Sequence, residues 1–132
     1  MTDLELACES FKKLLMEQQE RIQNMNSQKV DFSAKETVTV GIIDGDGIGP
    51  IIMAQAVRVL KKLLASEIAE GKVILKKIEG LTIENRLAQG KPVPEDVLAE
   101  IKTCDVLLKG PTTTPNGGSM ESANVTLRRE LD

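Results

Sequence analysis

From residue 37 onward, short β-branched segments alternate with longer amphipathic ones, and this alternation restricts the possible folds more than any other feature. Residues 37–43 (Thr-Val-Thr-Val-Gly-Ile-Ile) are typical of a buried strand, and comparable segments recur at 73–78 and 105–108. Strands that alternate with helical segments imply βαβ units and a mostly parallel sheet. The sequence therefore predicts an α/β fold.

Three helical patterns separate or follow these strands. Pro50 begins the first, because proline suits a first helical position, and Gly71 is expected to end it. Its inward face is predicted to comprise Ile52, Ala56, Val57, Leu60, Leu63, Leu64 and Ile68. The second pattern spans 82–89 and ends before Gly90, and the third begins at Pro94.

A further helix, predicted over residues 2–26, precedes the α/β segment. Thr2 and Glu5 form a capping box at its start. Apolar residues recur along it at helical spacing: Leu4, Ala7, Cys8, Phe11, Leu14, Leu15, Ile22 and Met25. So exposed a helix should pack on the domain or on another subunit. The predicted organisation is a helix and linker over 1–36 and an α/β domain over 37–132.

Composition excludes several classes of function. The 132 residues carry 17 basic and 20 acidic side chains, no long basic block, and no Tyr or Trp to stack on bases, so nucleic acid is not an expected partner. No apolar run is long enough to span a membrane, and the acidic start is unlike a signal peptide. Cys8 and Cys104 fit reduced thiols and form no metal site, so we expect a cytoplasmic protein.

The side chains that are missing also restrict the chemistry. The sequence contains no His and no Tyr, which removes the usual general base at neutral pH and the phenolic acid. We therefore assign no catalytic residue and no metal ligand to this chain. The last helical pattern also has no closing glycine, asparagine or proline before residue 132, so we expect an N-terminal portion of something larger.

A glycine-rich segment lies between the first strand and its helix, where α/β folds bind ligands. Residues 44–50 read Asp-Gly-Asp-Gly-Ile-Gly-Pro. A dinucleotide-binding fingerprint requires glycine at the position of Pro50, so the match is incomplete. Glu79 after the second strand could nevertheless serve as the acidic residue that binds the ribose. The two acidic residues would repel a pyrophosphate, and no Gly-Lys-Ser/Thr follows as in a P-loop. A ligand-binding loop and a purely structural turn both remain open.

Residues 109–118 (Lys-Gly-Pro-Thr-Thr-Thr-Pro-Asn-Gly-Gly) form a second loop, and it leads into a helix that begins near Ser122. Asn124 and Arg128 are four residues apart and share one face of that helix. A hydroxyl, an amide, a guanidinium and the positive end of the helix dipole would then converge, which suits a small polycarboxylate. The alternative is that Ser122 only caps a surface helix whose arginines are solvated.

Three motifs together resemble the metal-dependent, β-decarboxylating isocitrate and isopropylmalate dehydrogenases. They are Ile-Asp-Gly-Asp-Gly-Ile-Gly-Pro at 43–50, Leu-Lys-Gly-Pro-Thr-Thr-Thr-Pro at 108–115, and Ser-x-Asn-x-x-x-Arg-Arg-Glu-Leu-Asp at 122–132. The resemblance covers residues 37–132 and implies the N-terminal portion of an isopropylmalate dehydrogenase-like fold, preceded by the appended helix.

Within that family the Ser-x-Asn-x-x-x-Arg pattern resembles isocitrate dehydrogenases, whereas isopropylmalate dehydrogenases place apolar residues there. The resemblance implies oxidative decarboxylation of isocitrate to 2-oxoglutarate with NAD or NADP, NAD being favoured, and Mg²⁺ or Mn²⁺. It implies that isocitrate, or a similar hydroxy-polycarboxylate, binds to Ser122, Asn124 and Arg128. It implies that the nicotinamide lies beside Ile48, Gly49, Thr113 and Thr114.

The resemblance also implies that the chain is incomplete as an enzyme. The family's catalytic Tyr and Lys and its metal-binding Asp residues have no counterpart in this sequence, so we expect the chain alone to be inactive. The resemblance also implies that the complete enzyme is a homodimer. Two alternatives stay open. One is a non-catalytic remnant, or a regulatory or dimerisation subunit of the same family. The other is a 3-isopropylmalate or homoisocitrate dehydrogenase.

Overall fold

The computed structural model describes residues 2–27, 30–118 and 120–131, in two compact units, Met1–Ala34 and Lys35–Asp132. The first unit contains helix α1, Asp3–Ser27, and a single 3-10 turn at Phe32–Ala34. The predicted capping box is present, since Glu5 Oε2 accepts from Thr2 N at 2.7 Å and Thr2 Oγ1 accepts from Glu5 N at 3.3 Å.

The second unit is built on a parallel sheet of three strands: β1 at Val38–Ile43, β2 at Val73–Lys77 and β3 at Val106–Lys109. Their spatial order is β2-β1-β3, so β1 lies in the centre. Both pairings are parallel. The β-branched residues of β1 fit this central position, where strands are covered on both faces. The prediction of an α/β fold with a parallel sheet is confirmed.

Five helices complete this unit: α2 at Gly49–Leu63, α3 at Ala65–Ala69, α4 at Ile83–Gln89, α5 at Glu95–Ile101 and α6 at Ala123–Leu131. Local signals account for their ends. Thr82 caps α4 by accepting from Asn85 N, and Gly90 ends it in the left-handed conformation at φ 63°. No helix in the described ranges is long and apolar enough to cross a membrane.

Two predictions about the first crossover helix were wrong. The helix is not continuous to Gly71, because Leu64 leaves the helical conformation (φ -104°, ψ 25°) and separates α2 from α3. Ile52, Ala56 and Leu63 are exposed rather than buried, and Met53 is the buried apolar side chain of α2. A three-stranded sheet offers too little area to cover a 15-residue helix, so apolar periodicity did not translate into burial.

The core joins β1 to the segments that follow β2 and to helices α5 and α6. It consists of Ile43, Ile78, Leu81, Val93, Val97, Ile101, Ala123 and Leu127. Ala123 and Leu127 come from α6, so apolar packing fixes the start of that helix in this unit. This anchoring fixes the position of the exposed polar residues of α6, Asn124 and Arg128.

Candidate functional site

The loops that follow all three strands lie at one edge of the sheet, because the strands are parallel. They are residues 44–48 after β1, 78–82 after β2, and 110–118 with 120–122 after β3. The carboxyl edge of a parallel sheet is the usual ligand-binding edge of α/β folds. Ile48, Gly49, Thr113, Thr114 and Ser122, which the sequence analysis singled out, all belong to these loops or border them.

Gly45 and Gly110 bring the first and last of these loops into backbone contact, and Gly49 closes the first loop on itself. A Cβ on Gly45 would lie 2.1 Å from the carbonyl oxygen of Pro111, and Gly45 also has φ +80°. A Cβ on Gly49 or Gly110 would lie 2.2 Å or 2.0 Å from the carbonyl oxygen of Asp44. The space beside these glycines is therefore filled by protein backbone, which favours the structural interpretation of the glycine-rich turn at these positions.

Asp46 connects the loops after all three strands. Its Oδ1 accepts from Ile83 N at 2.7 Å, in the first turn of α4, and its Oδ2 accepts from Thr113 N at 2.8 Å. Its own backbone N donates to the carbonyl of Pro111 at 2.7 Å. The Asp46 carboxylate thus binds backbone N–H groups of this protein.

Arg86 on α4 completes the same network and is fully buried. Its Nε donates to the carbonyl of Pro92 at 2.8 Å, and its Nη1 donates to the carbonyl of Thr113 at 2.7 Å. Nη1 also lies 3.9 Å from Asp46 Oδ2. Burial lowers the pKa of Arg86, and the charge of Asp46 opposes that shift. We call Asp46 and Arg86, with the backbone groups they bind, the Asp46–Arg86 clamp.

The clamp holds Thr113 by both of its backbone polar groups, the N–H through Asp46 and the carbonyl through Arg86. Lys109 secures the start of the same loop, donating to the carbonyl of Gly110 at 2.7 Å and to Thr112 Oγ1 at 3.3 Å. Burial and then the nearby Arg86 charge lower the pKa of Lys109, while Asp46 raises it. A loop without regular secondary structure is therefore rigidly positioned.

The clamp was not predicted from the sequence. There Asp46 is notable only as a charge that would repel a pyrophosphate, and Arg86 belongs to no recognisable motif. No local signal marks the clamp, because it joins residues that are distant in the chain. Asp46 and Thr113, for example, are 67 residues apart. Asp44, the other acidic residue of the turn, pairs with Lys77 at 3.1 Å, and Lys77 also pairs with Glu79 at 3.2 Å.

Ser122, Asn124 and Arg128, here called the α6 polar face, stand at the start of α6 and along its first two turns. Ser122 directly precedes the helix, and its carbonyl accepts from Val125 N and Thr126 N at 3.1 Å each. Ser122 is half-buried, whereas Asn124 and Arg128 are exposed. The predicted helix start and the four-residue spacing are present, and the binding role of these side chains stays a prediction.

Glu121, which directly precedes Ser122, binds two side chains of α6. Glu121 Oε2 accepts from Thr126 Oγ1 at 2.8 Å, and Glu121 Oε1 accepts from Arg129 Nη1 at 3.2 Å. The Thr126 hydrogen bond, followed by Arg129, lowers the pKa of Glu121. Within residues 120–131 and the other described ranges, the Ser122 hydroxyl caps no backbone N–H and Arg128 has no ion-pair partner.

The residues expected beside the nicotinamide differ in exposure. Ile48 is 67% exposed, Thr113 and Thr114 are exposed, and Gly49 is buried at the start of α2. An exposed apolar side chain and threonine hydroxyls at one sheet edge fit a flat, weakly polar ring. Among the residues that the structure describes, no three His, Cys, Asp or Glu side chains cluster as metal ligands would.

The chain belongs to the isocitrate/isopropylmalate dehydrogenase family, whose model matches residues 39–132. It is 35% identical over 94 residues to "Isocitrate dehydrogenase [NAD] regulatory subunit 3, mitochondrial" of Arabidopsis thaliana, covering 71% of this chain and 22% of that protein. It is 34% identical over 112 residues to "Isocitrate dehydrogenase [NADP]" of Archaeoglobus fulgidus, covering 81% of this chain and 26% of that protein.

A third relative is the "Isocitrate/homoisocitrate dehydrogenase" of Pyrococcus horikoshii, 38% identical over 98 residues, which are 70% of this chain and 25% of that protein. The chain thus spans about a quarter of the length of these relatives or slightly less. The resemblance stated from the three motifs is confirmed at the level of the family.

Proposed function

We propose that this chain forms the wall of an isocitrate dehydrogenase that contacts the substrate and the nicotinamide. The reaction of the complete enzyme is oxidative decarboxylation of isocitrate to 2-oxoglutarate with NAD or NADP and Mg²⁺ or Mn²⁺. The observation that carries the proposal is the α6 polar face. Its amide and guanidinium are exposed on a helix whose other side is anchored in the core through Ala123 and Leu127.

The chemistry of this face matches a polycarboxylate. Arg128 offers a planar fork for bidentate, charge-assisted hydrogen bonds to a carboxylate. Asn124 and Ser122 add neutral donors, and the first turn of α6 adds the positive end of the helix dipole. Because Ala123 and Leu127 fix α6 by packing, these groups are held in place before a ligand arrives.

The loop after β3 is proposed to position the nicotinamide. The Asp46–Arg86 clamp holds the backbone of Thr113, so the side chains of Thr113 and Thr114 are presented from a rigid support. Ile48 would supply apolar contact from the other loop. Ile48, Thr113 and Thr114 would hold the nicotinamide, which would supply a hydride acceptor for oxidation of the substrate hydroxyl. The described residues offer no ligand set for a metal.

The test uses a complete enzyme made by fusing residues 37–132 to the remainder of a related dehydrogenase. Arg128→Ala, and separately Ser122→Leu with Asn124→Leu, should each reduce kcat/KM for isocitrate by the equivalent of roughly 2–4 kcal/mol, because a charged carboxylate loses its partners. Arg129→Ala is the matched control. Arg129 is paired with Glu121, so its removal should leave kcat/KM nearly unchanged.

A variant that introduces a negative charge in the same fusion separates substrate binding from helix capping. Ser122→Asp puts a negative charge where a substrate carboxylate should bind, while the start of a helix tolerates an anion. Isocitrate binding should be almost lost, with Tm within a few degrees of the parent. Ser122→Ala removes one neutral hydrogen bond, about 0.5–1.5 kcal/mol. Equal isocitrate affinity in the Asp and Ala variants would exclude Ser122 from the carboxylate site.

We further propose that the 132-residue chain alone does not turn over isocitrate, because the sequence contains neither His nor Tyr to move protons. Purified chain assayed with Mn²⁺ and either NAD or NADP should not exceed a tag-only control. Turnover above that control that Arg128→Ala abolishes would contradict this. The complete enzyme is proposed to be a cytoplasmic homodimer that prefers NAD, and the ratio of kcat/KM for NAD and NADP tests the preference.

A second candidate is a non-catalytic or regulatory subunit. It is favoured by the absence of His and Tyr from the sequence and by the name of the Arabidopsis thaliana relative, a regulatory subunit. The nucleotide sequence beyond codon 132 discriminates, since continuation into the catalytic half supports the enzyme and a stop codon supports the subunit. Comparing isocitrate, homoisocitrate and 3-isopropylmalate as substrates of the fusion tests the remaining alternative.

A further inference from the structure

Helix α1 carries a seven-residue apolar repeat along one side. The residues Leu4, Cys8, Phe11, Leu15, Gln18, Ile22 and Met25 follow one another in alternating steps of four and three. We call this row the α1 seam. Its spacing is that of the a and d positions of a coiled coil, maintained over about three heptads. Six of its seven members are apolar or, in the case of Cys8, behave as small apolar side chains.

The apolar side chains of the α1 seam are more exposed than is usual for a stable helix. Leu4 is 74% exposed, Phe11 is 61% exposed and Ile22 is 56% exposed. Helices of this kind draw most of their stability from burying the apolar side. A contiguous row of exposed apolar residues marks an interaction surface.

We propose that the α1 seam binds the α1 seam of a second copy of this chain as a parallel, in-register, two-stranded coiled coil. This interface is independent of the substrate assigned to the α6 polar face. Three features support a second copy in this orientation: the polar residue in the row, the residues that flank it, and the area of the interface.

Gln18 determines the orientation. In a parallel, in-register pair Gln18 faces Gln18 of the second copy, and the two side-chain amides donate to and accept from each other. In an antiparallel pair Gln18 faces an apolar member of the seam of the second copy, which leaves its amide groups without partners in an apolar interface. A single polar residue in an apolar row is a known means of fixing register in coiled coils.

The flanking positions tolerate a second copy. In the parallel pair Ala7 lies beside Lys12 of the second copy, and Leu14 lies beside Gln19 of the second copy. The long side chains of Lys12 and Gln19 can cover these apolar neighbours while their polar ends reach water. Neither contact brings like charges together, so self-association carries no electrostatic penalty at these positions.

The area is sufficient for a specific but modest interface. A helix of 25 residues is about 37 Å long, and burying about a third of its lateral surface on each copy removes about 1,000 Å² in total. That area is the lower limit for a specific protein–protein interface. The proposed dimer should therefore be tested at high micromolar chain concentration.

The first experiment uses Cys8 as a reporter of orientation in the unaltered 132-residue chain. Cys8 is a free, exposed thiol, and the parallel register places it opposite Cys8 of the second copy. Diamide, which accepts the two electrons and two protons that the thiols lose, should convert the chain to a disulfide-linked dimer. Cys8→Ser retains Cys104 and should give no disulfide-linked dimer. A dimer in solution that diamide does not link through Cys8 would overturn the parallel register.

The second experiment tests the seam by sedimentation at about 100 μM, a concentration suited to an interface of this size. Leu15→Glu should weaken dimerisation at least about a hundredfold, because each dimer buries two charges in place of two leucines. Met16→Glu is the matched control, an adjacent 60%-exposed residue outside the seam, and it should leave dimerisation within about threefold.

Gln18→Leu supplies a variant that retains an apolar seam. It should associate at least as tightly as the parent but form less Cys8 disulfide, because the pairing that selects the parallel register is gone. A parent chain that is monomeric at this concentration would overturn the proposal, whether α1 packs on its own domain or remains exposed. So would equal loss of association in Leu15→Glu and Met16→Glu.

Discussion

Two polar groupings at the carboxyl edge of the sheet differ in what their charges bind. In the Asp46–Arg86 clamp, the buried guanidinium and carboxylate bind backbone groups of the protein itself. On the α6 polar face, Asn124 and Arg128 are exposed, and neither forms an ion pair or side-chain hydrogen bond with any residue described in the structure. The clamp shapes the edge, and the face remains accessible to a ligand.

The difference shows why residue type alone is a poor guide to function. An Asp in a glycine-rich loop and an Arg on a neighbouring helix are reasonable ligand-binding candidates in a sequence. Here their partners are carbonyl and N–H groups of Pro92, Thr113 and Ile83. Buried charges need such partners, since an unpaired one is costly, whereas an exposed Arg is solvated until a ligand displaces water.

The largest expected effect comes from Arg86→Met. It removes two hydrogen bonds to backbone carbonyls and the guanidinium next to the buried Asp46 carboxylate, so the free energy of unfolding should fall by about 3–5 kcal/mol. Urea denaturation of the 132-residue chain measures it. Arg58→Met, an exposed arginine on α2, should change stability by less than about 0.5 kcal/mol. Similar losses in both variants would mean that the clamp is not a stabilising network.

Gly110→Ala should have the next largest effect. The new Cβ would lie 2.0 Å from the carbonyl oxygen of Asp44, so the loops after β1 and β3 must separate. We expect a loss of about 3 kcal/mol in the free energy of unfolding. Gly47→Ala is the control, because its Cβ would meet nothing within 4 Å and it incurs only the cost of φ +59°, about 1 kcal/mol. Equal losses would show that the two loops do not need their close contact.

A smaller, pH-dependent effect is expected from Glu121→Gln, next to the α6 polar face. The hydrogen bond from Thr126 lowers the pKa of Glu121 in the folded state. Its stabilising contribution is therefore fully present above the unfolded pKa, about 4.3, and is lost as pH falls through the folded value. Glu121→Gln should lower Tm slightly at pH 7, and the Tm difference from the parent should shrink as the pH falls through the folded pKa. A Tm difference that grows on acidification would contradict this.

The smallest effect on stability should come from the α6 polar face itself. Arg128→Ala and Asn124→Ala replace exposed side chains, so each should change the free energy of unfolding by less than about 0.5 kcal/mol. The same changes are expected to matter for isocitrate. A loss above 1 kcal/mol in the 132-residue chain would show that these residues support the fold, and the contrast with the clamp would disappear.

Much of the fold could be predicted because its signals are local. Pro50 and Gly90 mark helix ends, Thr2 and Glu5 form the capping box, and the β-branched run of β1 indicates a buried central strand. The position of the α6 polar face was also predictable, since helical spacing places residues four apart on one side. These features depend on backbone geometry within a few residues, which the sequence contains directly.

The sequence by itself therefore determined the order of elements, the parallel sheet and the family. Tertiary structure decided the rest. It buried Arg86, filled the space beside Gly45 and Gly110 with backbone, and left Ile52 exposed on a helix that the small sheet does not cover. Each outcome depends on groups that are distant in the chain and meet only after folding. A local pattern states which side of an element is apolar, and the available partners decide what that side contacts.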